Sequence, residues 1–544
     1  MQKILNKICI LLLLAATAFA ADFPAEEFQR ITVIFTNDVH GGITRTEATF
    51  MNPQFPPQIG SAPALAHYVK QLRQKAEKED FGVLVIDQGD FFSGTPVGST
   101  TAGKAVVAMM NRVGYDAMVM GNHDFDKGLT ELRTRADEAD FPFLGANIVT
   151  ESGAVAEFLE PYVIKEIAGI KIGILGIATS VTPSMSFPEH VKGLTFRPEI
   201  LTAREWVPRM KEAGADIIIA STHTWTPYER EQAAAELHEK LKKGVWPDPN
   251  KIGVEGMEIA VSVPDIDIMY TGHVHKGFNE PYEDPVNHTL IFQNYANGTN
   301  VGQVNFYIHK ATKTLAGYDF AVDGSAIITL LEDEFWIDTA VDSLIEAYRA
   351  VAEAGFDEVL TVLPAPLRRA NEGQSGVGNL FMDALARAVN ADIAFSNFGG
   401  LRSDLEAGPL TYEDLFRFEP FGNQITVFQM RGAQIHALIE DRVKGNSRGM
   451  LVSGGSEIIV DKTRPDGNRV TIKKIGGKDY DPDAVYKLAV SDYLAEGNSG
   501  YDLLTEIDTR YRNNTGILMR EALRDYIVNV GAKAQIDERW TVIK

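Results

Sequence analysis

From Ile31 to about Tyr307 the chain repeats one pattern. Short runs of β-branched and aliphatic residues end in polar or glycine-rich turns, and amphipathic stretches follow. The runs are Ile31–Phe35, Val83–Ile86, Ala117–Met120, Ile172–Leu175, Ile217–Ile219 and Ile266–Tyr270. Short runs of this kind suit strands buried on both faces. Helical stretches lie between several of them, Ala64 to Lys78 for example, so this half reads as an α/β or α+β layered domain. A helix is expected between Asp333 and Gly355. Asp338 can cap it, Val341, Leu344, Ile345 and Tyr348 recur at helical spacing, and Gly355 can end it. Beyond Val359 the pattern changes: a helix over Val377 to Val389, a strand over Ile393 to Ser396, the pair Gly399-Gly400, then strands and turns to the end. Met51–Pro57 and Lys243–Pro249 carry proline and polar residues and should be exposed loops.

Polar residues cluster where the strands stop. Phe35 is followed by Thr36-Asn37-Asp38-Val39-His40-Gly41, and Ile86 by Asp87-Gln88-Gly89-Asp90. Met120 is followed by Gly121-Asn122-His123-Asp124-Phe125-Asp126, Ile219 by Ala220-Ser221-Thr222-His223, and Tyr270 by Thr271-Gly272-His273-Val274-His275. Any one of these alone reads as turn chemistry, a helix cap or an exposed polar pair. Five at the same strand position are a different matter, and they take five of the 11 histidines. Sites in open α/β sheets gather at the carboxyl ends of strands. Parallel neighbours would bring Asp38, His40, Asp90, Asn122, His223, His273 and His275 to one edge. That mixed nitrogen and oxygen set suits Zn²⁺, Mn²⁺, Co²⁺ or iron and is too rich in nitrogen for Mg²⁺ or Ca²⁺ alone. Seven ligands with one shared carboxylate fill two sites, and paired metals imply hydrolysis by in-line displacement. Asp126, three residues after His123, can fix its tautomer and favour the imidazolium.

Length and charge narrow the picture. The 544 residues suggest at least two domains, and a formal net charge of −22 argues against nucleic-acid polymers and anionic membranes as partners. Lys3 and Lys7, the apolar run Ile8 to Leu14, and Ala18-Phe19-Ala20 read as a signal peptide cleaved after Ala20. The run is short for a membrane anchor, which needs roughly 20 residues. Cys9, the one cysteine, lies inside this segment, so the mature chain would have no disulfide. A soluble periplasmic or extracellular protein without a membrane anchor is expected; monomer and dimer both remain open.

The strand-end stretches resemble the metallophosphoesterase domain of the 5′-nucleotidase family, which includes periplasmic UDP-sugar hydrolases and animal ecto-5′-nucleotidases. Where the family usually has Glu after the catalytic His, this chain has Asp124. The resemblance implies that Asp38, His40 and His275 hold one metal, that Asn122, His223 and His273 hold the other, and that Asp90 bridges. It implies a catalytic dyad of His123 and Asp126, and a four-layer α/β/β/α metal domain. The second half is similar to the family's α+β substrate domain: Asn397-Phe398-Gly399-Gly400-Leu401-Arg402 resembles an Asn-Gly-Gly-Gly-Ile-Arg loop, and Pro420-Phe421-Gly422-Asn423 a Pro-Phe-Gly-Asn turn. Arg402 offers paired donors to a phosphate, and Phe421 and Tyr493 could sandwich a base. The stretch Tyr493-Leu494-Ala495-Glu496-Gly497-Asn498-Ser499-Gly500 departs from the family, because the Asp that holds the ribose hydroxyls falls on Ser499. Arg368 and Arg369 are further candidates for phosphate, at a spacing that does not match cleanly.

The expected domains are a signal peptide (1–20), a metallophosphoesterase domain (21–330), a linker helix (331–358) and a nucleotide-binding domain (359–544). The expected function is an exported hydrolase with two divalent ions (Zn, Mn or Co) that releases phosphate from nucleotides. UDP-sugars and nucleoside di- or triphosphates are further candidate substrates. The alternatives are a cyclic-nucleotide phosphodiesterase, a sulfur-ester hydrolase, or a nucleotide- or metal-binding protein without turnover.

Overall fold

The structure, a computed structural model, describes residues 23–48, 51–52, 54–322, 324–445, 447–533 and 535–544. The signal-peptide segment lies outside the described residues. Among the described residues no helix is long and apolar enough to cross a membrane.

Two sheets pack face to face in the first half. One has seven strands, with Leu315–Phe320, Asn300–His309, Phe28–Thr36, Gly82–Asp87, Ala117–Val119 and Phe143–Leu144 in spatial order and Ile327–Thr329 beside Asn300–His309. The other has six, in the order Tyr282–Glu283, Leu290–Gln293, Ile268–Thr271, Ile217–Thr222, Ile170–Ile177 and Tyr162–Ile167. In the first sheet Phe28–Thr36 runs parallel to Gly82–Asp87, with Ile31 opposite Gly82 and Thr36 opposite Asp87. In the second, Ile217 stands opposite Ile172 and Ile219 opposite Ile268, again in parallel.

The apolar runs explain these layers. Ile31, Val33, Phe35, Leu84 and Ile86 point to the other sheet and meet Ile172, Ile174, Ile217, Ile219, Tyr270 and Phe292. Ile34 and Val85 point outward, under the helices Ser61–Glu79, Lys104–Val113 and Thr339–Ala352. Leu175, Ile177, Ile218 and Ala220 do the same under Glu199–Glu212, Arg230–Lys242 and Gly256–Ser262. Strands read as continuously apolar because alternate residues feed two different cores. The four layers are helices, sheet, sheet, helices. Phe35 is fully buried with its ring centroid 4.5 Å from that of Tyr270, so truncating it to alanine should cost about 3–5 kcal/mol.

The helix expected between Asp333 and Gly355 spans Thr339–Ala352. The Asp338 side chain caps it, accepting from the N–H groups of Ala340 and Val341 at 3.0 and 3.1 Å. Its buried Val341 and Ile345 join the helix layer of the first sheet, so it is docked on the first half along its apolar stripe.

The second half is built on a five-stranded sheet, in the order Leu451–Val452, Ile393–Ser396, Val485–Ser491, Gln424–Arg431 and Arg512–Leu518. Helices Gly376–Ala388 and Met519–Asn529 pack on one face. The strand expected over Ile393–Ser396 is there at those bounds, and the helix expected over Val377–Val389 spans Gly376–Ala388 behind a Ser375 cap.

Candidate metal centre and adjoining cavity

All five strand-end sets meet, but the edge they share belongs to two sheets. Asp38, His40, Asp90 and the Asn122–Asp126 turn follow strands of the first sheet; His223, His273 and His275 follow strands of the second. Asp38, His40 and His275 place ligand atoms within 4.8 Å of one another, and so do Asp90, His223 and His273. Asn122 joins the second group, with its Oδ1 2.9 Å from His273 Nδ1.

The backbone is bent to achieve this. Asp38, His40, Asp90, His273 and His275 have φ of 49°, 50°, 57°, 71° and 58°. A non-glycine residue there costs of order 1–3 kcal/mol, and Asp and His tolerate it better than most. The turns also brace one another. Asp38 carboxylate oxygens accept from the backbone N–H of His273 at 2.9 and 3.0 Å, and Asp90 Oδ1 accepts from that of His123 at 2.7 Å. Gly121 has to be glycine, since a Cβ there would sit 2.2 Å from Asp90 Oδ1.

These donors fit divalent cations. His40 Nδ1–H donates to Ser93 O at 2.5 Å and His223 Nδ1–H to Gln88 O at 2.6 Å, which turns each Nε2 towards the cluster. His40 Nε2 then faces His275 Nε2 at 2.9 Å, and both lie within 4.0 Å of Asp38 Oδ1. His223 Nε2 stands 3.1 Å from Asp90 Oδ2 yet out of line for a hydrogen bond, so it is a buried nitrogen without a partner. Lone pairs converging on one another are destabilising unless a cation takes them up. Burial pushes His40 and His273 down to about 3, so both are neutral donors. The pair of His223 and Asp90 is different. Burial works to lower His223, but Asp90 outweighs it and raises it to about 10, while burial works to raise Asp90, but His223 and His123 hold it well below the usual carboxylate range. Without a cation His223 keeps the proton that a metal ion would replace.

His123 sits apart from the donors. Its Nδ1–H donates to Asp126 Oδ2 at 3.0 Å. Burial works to lower its pKa, but the charges of Asp126 and Asp90 outweigh it and the net shift is upward. Asn122 precedes a 3-10 turn (His123–Phe125) without capping it, which removes the helix-cap explanation for the Gly-Asn-His-Asp stretch. Asp124 is no ligand: it accepts from the backbone N–H groups of Asp90, Phe91 and Gly121 at 3.1, 2.9 and 2.7 Å and so fixes the turn that carries Asp90.

The donors open into a cavity of about 370 Å³ between the two halves. Asn397, Arg402, Phe421, Tyr493 and Ser499 line its far wall. Arg402 carries no hydrogen bond or ion pair on its guanidinium among the described residues, and burial lowers its pKa. An unpaired arginine facing a cavity is a ready anion site. Phe421 lies against the His123 ring, centroids 5.4 Å apart and planes 24° from parallel. Its turn is held by Glu419, which is buried and accepts from Asn423 N–H at 3.3 Å. Burial pushes Glu419 up to about 7.

Neither Arg368 nor Arg369 lines the cavity. Arg368 is an exposed residue paired with Glu406 and with Asp404 at 3.3 Å, and Arg369 is tied to Asp404 at 3.1 Å and to Leu401 O at 2.9 Å. Both guanidinium groups are already committed to acidic neighbours that sequence spacing could not reveal. Conversely Asn423, Tyr228 and the segment Met185–Phe187 line the cavity and were not singled out. Asn423 was visible in the Pro-Phe-Gly-Asn turn; the others sit in loops without a motif.

Comparison with known proteins agrees with this geometry. Residues 31–277 match the calcineurin-like phosphoesterase family, and residues 354–506 match the 5′-nucleotidase C-terminal domain. The chain is 28% identical over 555 residues to a 5′-nucleotidase of Vibrio parahaemolyticus, covering 95% of this chain and 93% of that protein. A 5′-nucleotidase precursor of Thermus thermophilus shares the fold, with a TM-score of 0.77 and 23% identity over 95% of this chain and 99% of that one. So does a sulfate thiohydrolase, SoxB, of Thermus thermophilus, with a TM-score of 0.71 and 20% identity over 96% of this chain and 98% of that one. With a metallophosphoesterase domain followed by a 5′-nucleotidase C-terminal domain, this chain is a metal-dependent phosphoester hydrolase similar to the 5′-nucleotidases.

Proposed function

We propose that the protein is an exported nucleotidase that releases phosphate from nucleoside monophosphates. The observation that carries this reading is the shared cavity. Two clusters of metal donors and the His123–Asp126 pair open onto the same space as an unpaired Arg402 and the rings of Phe421 and Tyr493.

In this reading Asp38, His40 and His275 hold one divalent ion, Asn122, His223 and His273 hold the other, and Asp90 is shared. Zn²⁺, Mn²⁺ and Co²⁺ suit the donors. The ions, when bound, supply Lewis acidity to the phosphate oxygens and a nucleophilic water at neutral pH. Arg402 draws the phosphate in and neutralises part of its charge. His123, held protonated by Asp126, gives its Nε2 proton to the departing nucleoside oxygen, and Asp126 keeps Nδ1–H pointed away from the substrate. Phe421 and Tyr493 hold the base by stacking. Asn397 Nδ2 stands 3.4 Å from Ser499 Oγ, and Tyr493 OH stands 3.2 Å from it, so the sugar meets neutral groups.

The domain limits in this reading are 21–330 for the metallophosphoesterase part, 331–358 for the linker helix and 359–544 for the nucleotide-binding part. Export rests on Lys3, Lys7, the apolar run Ile8 to Leu14 and the Ala18-Phe19-Ala20 site. Sequencing the mature N-terminus tests it, with Ala21 expected first.

A second reading is favoured by Ser499. A wall that offers the sugar no carboxylate also suits other esters, including cyclic nucleotides, UDP-sugars and sulfur esters. Free phosphate from AMP, UMP, ATP and p-nitrophenyl phosphate, and nucleoside monophosphate from UDP-glucose and cyclic AMP, followed with metal-stripped protein given Mn²⁺, Zn²⁺ or Co²⁺, separate the readings. Monophosphates are expected to be turned over fastest. Turnover of the generic ester with silence on every nucleotide would remove the nucleoside pocket and keep the metal centre.

A further inference from the structure

Beside Phe421 and Tyr493 the cavity has aromatic rings from the first half of the chain, Tyr228 and Phe187, and Phe187 is the one that meets Tyr493. Phe187 meets Tyr493 edge-on, with ring centroids 6.2 Å apart and planes at 84°. On its other side it meets the His190 ring at 5.2 Å. The ring is presented by an anchored segment. Pro188 follows it, and Phe187 has the extended conformation (φ −62°, ψ 133°) that a following proline favours. Ser186 is buried, and its Oγ donates to Asn122 O at 3.3 Å, which ties the segment to the metal edge. Upstream, the buried Glu199 accepts from both Ser180 N–H and Ser180 Oγ–H at 2.8 Å.

Tyr493 packs against the core of the second half, and its hydroxyl has one hydrogen-bond partner among the described residues, Ser499 Oγ at 3.2 Å. Ser499 is exposed with a left-handed φ of 54°. A single hydroxyl contact to a solvent-exposed serine does little to set the plane of a tyrosine ring, whereas an edge-to-face neighbour favours one orientation. The plane of Tyr493 decides whether a flat group can stack on it.

We propose that Phe187 is a specificity-determining residue. It positions the Tyr493 ring so that the cavity selects phosphate esters of alcohols that carry a flat aromatic ring, nucleosides among them, over those of small alcohols without one. This rests on the nucleotide reading above. Phe187 acts through Tyr493 and takes no part in the chemistry.

The test is the ratio of kcat/KM on AMP to kcat/KM on glycerol 2-phosphate, an ester without a ring, in the metal-loaded full-length mature protein. Phe187→Ala should lower that ratio about 10-fold, mostly through KM for AMP. Phe187→Leu, which keeps apolar bulk, should lower it as well, and Phe187→Tyr should restore it to within about twofold. In a cycle with Tyr493→Ala, the double variant should lose less than the product of the two single losses. An unchanged ratio in the Ala and Leu variants, a Tyr variant no better than Leu, or fully independent losses in the cycle would each overturn the proposal. A wild type inert on AMP but active on glycerol 2-phosphate would remove the nucleotide reading, and this inference with it. A wild type active on AMP with an unchanged ratio in the variants removes this inference alone.

Discussion

Across one cavity the two walls are made differently. On the metal side Asp38 and His223 are fully buried, five donor residues sit in left-handed backbone, and each turn is hydrogen-bonded to the next. Opposite them, Phe421 and Tyr493 are half-buried, Ser499 is exposed, and Arg402 has no partner among the described residues. Metal chemistry requires donor atoms held in place before anything binds, and strained turns packed on two sheets provide that. Recognition of a ring and a phosphate tolerates looser groups, since stacking is broad in angle and an arginine can swing to an anion.

If that contrast holds, substitutions on the metal side should strike turnover and those opposite should strike binding. The largest effect is expected from His123→Ala: a fall in kcat of about 10³-fold with KM for AMP little changed, measured by phosphate release. An equal rise in KM would show that His123 serves binding and would blur the contrast.

Next in size is a stability effect behind the substrate wall. Glu419 has an ordinary pKa of 4.5 and is raised to about 7 by burial, so between these values the native protein holds a proton that the unfolded chain has released. Its contribution is fully present below pH 4.5 and is lost as pH rises towards 7, an overall loss of about 3 kcal/mol. Glu419→Gln should remove that decline in urea unfolding followed from pH 5 to 8. A decline of the same slope in the variant would mean that the buried pair with Arg520, 3.5 Å away, keeps Glu419 ionised throughout.

Arg402→Ala should lower kcat/KM about 30-fold on AMP and on p-nitrophenyl phosphate alike, because it serves the phosphate that both share. Phe421→Ala should raise KM for AMP about 10-fold and KM for glycerol 2-phosphate much less. The smallest effect is expected at Arg368→Ala, within about twofold on every substrate, since the exposed pairs with Glu406 and Asp404 are all it loses.

The same contrast decides what could be read from the sequence. Asp38, His40, Asp90, Asn122, His223, His273 and His275 were legible because each directly follows a buried strand, and a strand end fixes where the next few residues lie. The helix at Thr339–Ala352 was legible through Asp338 and its apolar stripe. Phe187 was not, because the segment Met185–Phe187 has no periodicity and its place depends on distant tethers to Asn122 and Glu199. The pairing of Arg368 and Arg369 was hidden for the same reason: it depends on Asp404 and Glu406, more than 30 residues away. The role of Asp124 was also hidden, as the sequence shows an Asp after His123 but not the three backbone N–H groups that it braces.

The most direct measurement is phosphate release from AMP as metal-stripped protein is titrated with Mn²⁺, with metal content and the His123→Ala variant followed alongside. Release is expected to level off at about two equivalents of metal per chain, and the variant is expected to bind the same metal while releasing phosphate about 10³-fold more slowly. Two equivalents of metal bound, AMP bound and no phosphate released by the wild type would contradict the nucleotidase reading and leave a metal- and nucleotide-binding protein.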